Sequence, residues 1–123
     1  MSVHTNVITV NAVEGFHSWP DAFNTVEYLR DRHRHVFTIE CEFAVDHDDR
    51  DIEIISQQHI IENFIRDRHG IPALFGSMSC EAIAREIVEF FTDCVSCVVR
   101  EDGMGGARVT RAMPIRLPTR KKE

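Results

Sequence analysis

No run of apolar residues in this sequence approaches the roughly 20 needed to cross a bilayer as a helix. The N-terminus likewise lacks the apolar core of a signal peptide. The expectation is a cytoplasmic protein with no membrane partner. Basic residues are in deficit too, with 14 Lys and Arg against 20 Asp and Glu and a formal charge of −6. Nucleic acid is therefore excluded as the main partner, because phosphate binding relies on clustered Lys and Arg. The one basic run, Arg116 to Lys122, is interrupted by proline and terminal, and residues 114–123 read as a flexible, solvated tail. Cysteine is limited to Cys41, Cys80, Cys94 and Cys97, expected as reduced thiols in the absence of an export signal. The Cys94-x-x-Cys97 pair has no second CxxC to complete a zinc knuckle, so core or spacer cysteine is favoured over a redox or metal role.

What is present suffices for one domain over residues 1–113. The chain has 123 residues, 43% of them hydrophobic, within the usual size of a single core. Residues 5–16 are β-branched and mostly alternating, which predicts a first strand. Residues 17–32, with Pro20, Asn24 and many charges, predict a long ordered loop with Trp19 and Phe23 as anchors. Residues 34–45 give the clearest strand: Phe37, Ile39, Cys41, Phe43 and Val45 alternate with Thr38, Glu40, Glu42 and Ala44. The acidic stretch 46–51 ends it.

From Ile54 the period lengthens. Ile60, Ile61, Phe64 and Ile65 predict a helix that Gly70 and Pro72 stop near His69. A second helix follows, carrying Ile83, Ala84, Ile87, Val88 and Phe91. Ser77 or Ser79 is its N-cap and Glu81 lies in its first turn. Residues 95–101 and 106–113 predict two more strands around a hairpin turn at Asp102-Gly103-Met104-Gly105. The fold class expected is α+β: a four-stranded sheet in β-β-α-α-β-β order with both helices on one face.

Histidine carries the chemistry. His33 and His35 stand two apart at the start of a strand, where residues i and i+2 share a face roughly 6.6 Å apart. Two imidazoles so placed can tilt toward one ion at a Zn–N distance of about 2.1 Å. His17, at the end of the first strand, supplies a third ligand if the two strands are neighbours. The loop between them is long enough to allow that. Three neutral histidines leave a fourth position open, as in catalytic zinc. An HxH pair also arises by chance among seven histidines, so spacing alone leaves metal and non-metal readings open. His4, His47 and His59 read as surface residues.

Further motifs occur in a fixed order: FHSW (Phe16 to Trp19), HRHVFTIEC (His33 to Cys41), SMSCEAIAREIVEFF and VVRED. Together they resemble the 6-pyruvoyltetrahydropterin synthase and 6-carboxytetrahydropterin synthase family over roughly residues 7–110. The resemblance implies the tunnelling fold, or T-fold, in which antiparallel sheets of several subunits join into a barrel, as a homo-oligomer such as a hexamer. It implies Zn2+ held by His17, His33 and His35, and a pterin- or purine-like small molecule anchored by Glu101. A carboxylate can accept two parallel hydrogen bonds from a ring N–H and an exocyclic amine. Without the resemblance, Glu101 reads as a surface carboxylate beside a turn.

The match departs from the family at two places. Arg34 replaces the glycine of a His-Gly-His motif, and Leu29 stands where the family has its catalytic cysteine. Glu27 and Asp31 are the nearest carboxylates that could replace that base, and each also reads as an exposed loop charge. Asp67 and His69 lie where the family has a proton-moving Asp-His pair, although His69 also suits a helix C-terminus by its dipole. Arg32 and Arg34 point away from the histidine face, toward a substrate phosphate or toward Glu40 and Glu42. Two functions follow as expectations. One is a zinc-dependent lyase of pterin or 7-deazapurine metabolism (queuosine, tetrahydropterin or folate) acting on 7,8-dihydroneopterin triphosphate or a related reduced pterin. The other is a non-catalytic T-fold protein that binds a pterin- or purine-like ligand.

Overall fold

Two 12-residue strands, β1 (Asn6–His17) and β2 (His33–Ala44), form the spine of the molecule. They pair antiparallel in unbroken register, from Asn6 opposite Ala44 to His17 opposite His33. The structure is a computed structural model and describes residues 3–112. The basic tail expected at 114–123 lies outside the described residues. A helix α1 (Ile54–His69), a two-residue strand β3 (Ala73–Leu74), a helix α2 (Cys80–Phe90) and strands β4 (Cys94–Glu101) and β5 (Gly105–Thr110) complete the order.

The architecture is α+β, as expected, but the sheet has five strands rather than four, in the order β3-β1-β2-β4-β5. The extra strand follows the Gly70 and Pro72 stop signals. It runs parallel to the end of β1, with Gly15 opposite Ala73 and Phe16 opposite Leu74. A second difference lies in the stretch expected as a loop, where Asn24–Arg30 forms a 3-10 helix interrupted at Val26. Trp19 and Phe23 stack edge to face on each other and stay largely exposed instead of anchoring it. The buried residue there is Ala22, whose carbonyl accepts from Arg30 Nε at 2.7 Å.

One face of the sheet forms the core. Phe37, Ile39, Cys41 and Phe43 alternate inward from β2 and are fully buried against Ile61 and Ile65 of α1 and Ile83, Ala84 and Ile87 of α2. Such alternation follows from the two-residue period of a strand. Ile60, expected on the buried stripe, is exposed. Cys94 and Cys97 also belong to this core, with Cys97 opposite Cys41 and their sulfurs 3.8 Å apart. All four cysteines are free thiols, and the CxxC pair acts as packing.

The opposite face is mixed, with Ile8 and Val10 exposed among polar side chains. Arg100 reaches Glu40 at 3.1 Å, and Asn6 and Ser96 both donate to Glu42. Arg34 pairs with Glu14 across the strand at 2.6 Å, not with Glu40 or Glu42. Arg32 lies over the ring of Phe16. No helix among the described residues is long and apolar enough to cross a membrane.

Candidate metal centre

The register of β1 on β2 decides where the histidines meet. His17 sits directly opposite His33, and Gly15 opposite His35, so the three imidazoles project from the same face at one end of the sheet. This is the core face, just beyond the last fully buried ring, Phe37. Phe37 packs edge-on beneath His17 and His35, with ring centroids 5.1 and 5.6 Å away. Gly15 keeps that floor flat. A Cβ there would come within 2.9 Å of Phe75 and 3.1 Å of Phe37.

Each imidazole is held through Nδ1. His17 Nδ1 lies 2.8 Å from the carbonyl oxygen of Met78, His33 Nδ1 2.9 Å from that of Asp31, and His35 Nδ1 2.6 Å from Asp102 Oδ2. A carbonyl can only accept, and so can an ionised carboxylate. Contact with His35, and then the Val36 N–H, holds the Asp102 carboxyl below its ordinary range, so it is ionised at neutral pH. In the neutral form of each ring the proton is thus assigned to Nδ1, which leaves a lone pair on Nε2. One nitrogen from each ring lies within 4.8 Å of the others, so the cluster can hold a metal ion.

The fit to a cation rests on one more observation. His35 Nε2 is buried and has no hydrogen-bond partner, an expensive state for a polar atom unless an ion completes it. Second-sphere acceptors on the far nitrogen are what metal-binding histidines commonly use to fix tautomer and orientation. All three rings have one here.

Asp102 was read from sequence only as a turn residue, and the structure gives it a second task. With Gly103 it supplies the two successive positive φ angles of the β4–β5 hairpin, 54° and 70°, as a type I′ turn requires. Its carboxylate then reaches back to β2, accepting from the Val36 N–H at 2.8 Å and from His35. The β2–β4 register, with Phe37 opposite Glu101, makes that reach short.

Glu101 lies on the histidine face. Its Oε2 is 3.1 Å from His17 Nε2 and its Oε1 is 3.6 Å from His35 Nε2. Cys80, the first residue of α2, directs its thiol to Glu101 Oε2 at 3.6 Å. Burial, and next the negative Glu101, push that thiol up to about 12. It remains a protonated donor at neutral pH.

An open cleft of about 280 Å3 adjoins the centre, lined among others by His17, His33, Trp19, Leu29, Cys80 and Glu101. None of Glu27, Asp31, Asp67 and His69 lines it. Glu27 and Asp67 are exposed on their helices, and Asp31 contributes its backbone carbonyl rather than its carboxylate. His69, at the end of α1, pairs with Glu86 at 2.8 Å and lies against the ring of Phe75. No protein-family model and no curated protein matches the chain.

Proposed function

We propose that this chain is a zinc-dependent lyase acting on a reduced pterin or a related heterocycle, built as a T-fold subunit. The observation that carries the metal part is the common orientation of the three histidines. Each is pinned through Nδ1 by an acceptor-only partner, and one nitrogen of each ring lies within 4.8 Å of the others. Three histidines with room for a further ligand suit zinc in a catalytic setting. Bound zinc supplies Lewis-acid polarisation of a carbonyl or hydroxyl oxygen.

The chain's own residues support the substrate part. Glu101 stands between the histidines and the cleft, where its two oxygens can accept from paired N–H groups of a heterocycle. Trp19 and Leu29 give the cleft apolar surface, and such surface with a few polar groups is typical of a small-molecule site. The order of strands and helices fits the T-fold once β3 is counted as an addition at the sheet edge. The sheet is open at β3 and β5. An open edge exposes unpaired backbone groups, and copies of the same chain pairing there would close a barrel. A monomeric mass by light scattering would contradict that part.

One observation favours a second reading, a binding protein without turnover. Apart from the histidines and Glu101, the titratable groups lining the cleft are Cys80 and the exposed Glu81. Cys80 is held as a neutral thiol, so no activated base lines the cleft among the described residues. The two readings separate on incubating zinc-loaded protein with 7,8-dihydroneopterin triphosphate and following products by mass spectrometry. The lyase reading predicts turnover. Stoichiometric binding with substrate recovered intact supports the second reading, and neither turnover nor binding contradicts both.

A further inference from the structure

We infer that Glu101 is the metal's fourth protein ligand while the cleft is empty, so that the resting centre is closed as three histidines and one carboxylate. The inference rests on the metal-centre reading above and adds to it a role for Glu101 before any substrate arrives.

His17 Nδ1 donates to the Met78 carbonyl, so in the neutral ring Nε2 carries a lone pair. That lone pair faces Glu101 Oε2 across 3.1 Å. Two acceptors at this separation repel unless a cation lies between them. His35 Nε2 is buried beside it without a hydrogen-bond partner, 3.6 Å from Glu101 Oε1. One metal ion serves both nitrogens, His33 and the carboxylate together.

Distances point the same way. Donor atoms about 2.0–2.1 Å from a tetrahedral zinc lie roughly 3.3–3.4 Å from one another. Glu101 Oε2 stands 3.1 Å from His17 Nε2, and its other oxygen, Oε1, stands 3.6 Å from His35 Nε2, so each oxygen lies at about that separation from one ring nitrogen. The sheet register puts them there, because Glu101 is opposite Phe37 on the strand next to His35. The Cys80 thiol, donating to Oε2, holds the carboxylate in the way that outer partners orient a ligating group.

This gives the carboxylate two alternative tasks. It caps the ion when the cleft is empty. A ligand bringing both a metal-binding oxygen and paired N–H donors would take its place on the ion and engage its oxygens instead. A ligand lacking either half would meet a centre that is already satisfied.

The test is metal binding, with no substrate present. Metal-free wild-type protein and the Glu101→Gln variant are titrated with zinc against a chromophoric chelator, then with cobalt(II) to record the visible d–d bands. The expected result is one metal per wild-type chain, affinity at least ~10-fold lower in Glu101→Gln, and altered cobalt bands as the carboxylate leaves the coordination shell. Weaker binding with unchanged bands would reduce Glu101 to a nearby charge and overturn the inference, as would equal affinity with equal bands. In both cases the three-histidine centre would stand. No metal binding by the wild type would overturn the centre and the inference together. Should Glu101→Gln fail to fold, Glu101→Asp keeps the charge one methylene shorter. Shifted cobalt bands with intermediate affinity support the inference, and bands and affinity equal to wild type contradict it.

Discussion

At the scale of single residues, the histidines were legible because strand geometry is simple. A two-residue period places His33 and His35 on one face whatever the rest of the chain does, and the hydrophobic alternation of Phe37 to Phe43 says which face is inward. Their acceptors were not legible. Asp102 reads as a turn residue because Asp-Gly is a turn dipeptide, and its second use depends on how β4 lies on β2. Met78 and Asp31 contribute carbonyls, which no side-chain pattern reports. Asp102→Asn keeps the shape of the side chain but weakens the acceptor that fixes the His35 ring. Zinc affinity measured by isothermal titration is expected to fall 10- to 100-fold, the usual effect of removing an outer partner. A variant with undiminished affinity would show that the 2.6 Å contact does not support the centre.

At the scale of elements, long periodic segments declared themselves and short ones did not. The start of α2 was readable as Ser77 or Ser79, and the cap is Ser79, whose hydroxyl accepts from the Ala82 N–H at 3.1 Å. Glu53 at the start of α1 was not, since glutamate is an uncommon N-cap. Its carboxylate accepts from the N–H groups of Ser56 and Ile55 at 2.8 and 3.2 Å. The strand β3 escaped because two residues carry no period. Its place comes from distant partners: the Phe75 N–H bonds to the carbonyl of Phe16 and the Ser18 N–H to that of Gly76, both at 2.9 Å.

The two caps should respond differently to acid. Hydrogen bonds from Ser56, then Ile55, hold the Glu53 carboxyl below its ordinary range. A depressed folded-state value means the stabilisation is complete above the unfolded-state value and is lost as pH falls through the folded one. Wild type should therefore melt above Glu53→Gln at about pH 6, and the gap should narrow steadily as pH falls below the usual carboxylate range. Ser79→Ala should cost about 1 kcal/mol throughout, since a hydroxyl cap does not titrate. Thermal melts followed by circular dichroism check both. A Glu53→Gln gap that persists undiminished in acid would contradict the capping account.

At the scale of the whole molecule, the core and the centre are one design. The sheet face that buries Phe37, Ile39, Cys41 and Phe43 continues outward as the face carrying His17, His33, His35 and Glu101. The histidine end begins just past Phe37, the last fully buried ring of that face. The α+β class and both main helices could be read from periodicity, whereas the cleft could not. Its walls come from the turn before α2, the segment after β1 and the β4–β5 hairpin, and only tertiary folding brings these together. The central claim is that this end of the sheet holds one metal ion through three histidines. The most direct test is zinc content by elemental analysis after equilibrium dialysis of the metal-free protein. The account predicts one zinc per wild-type chain and none in a folded His35→Ala variant; no zinc in the wild type, or equal zinc in both, would contradict it.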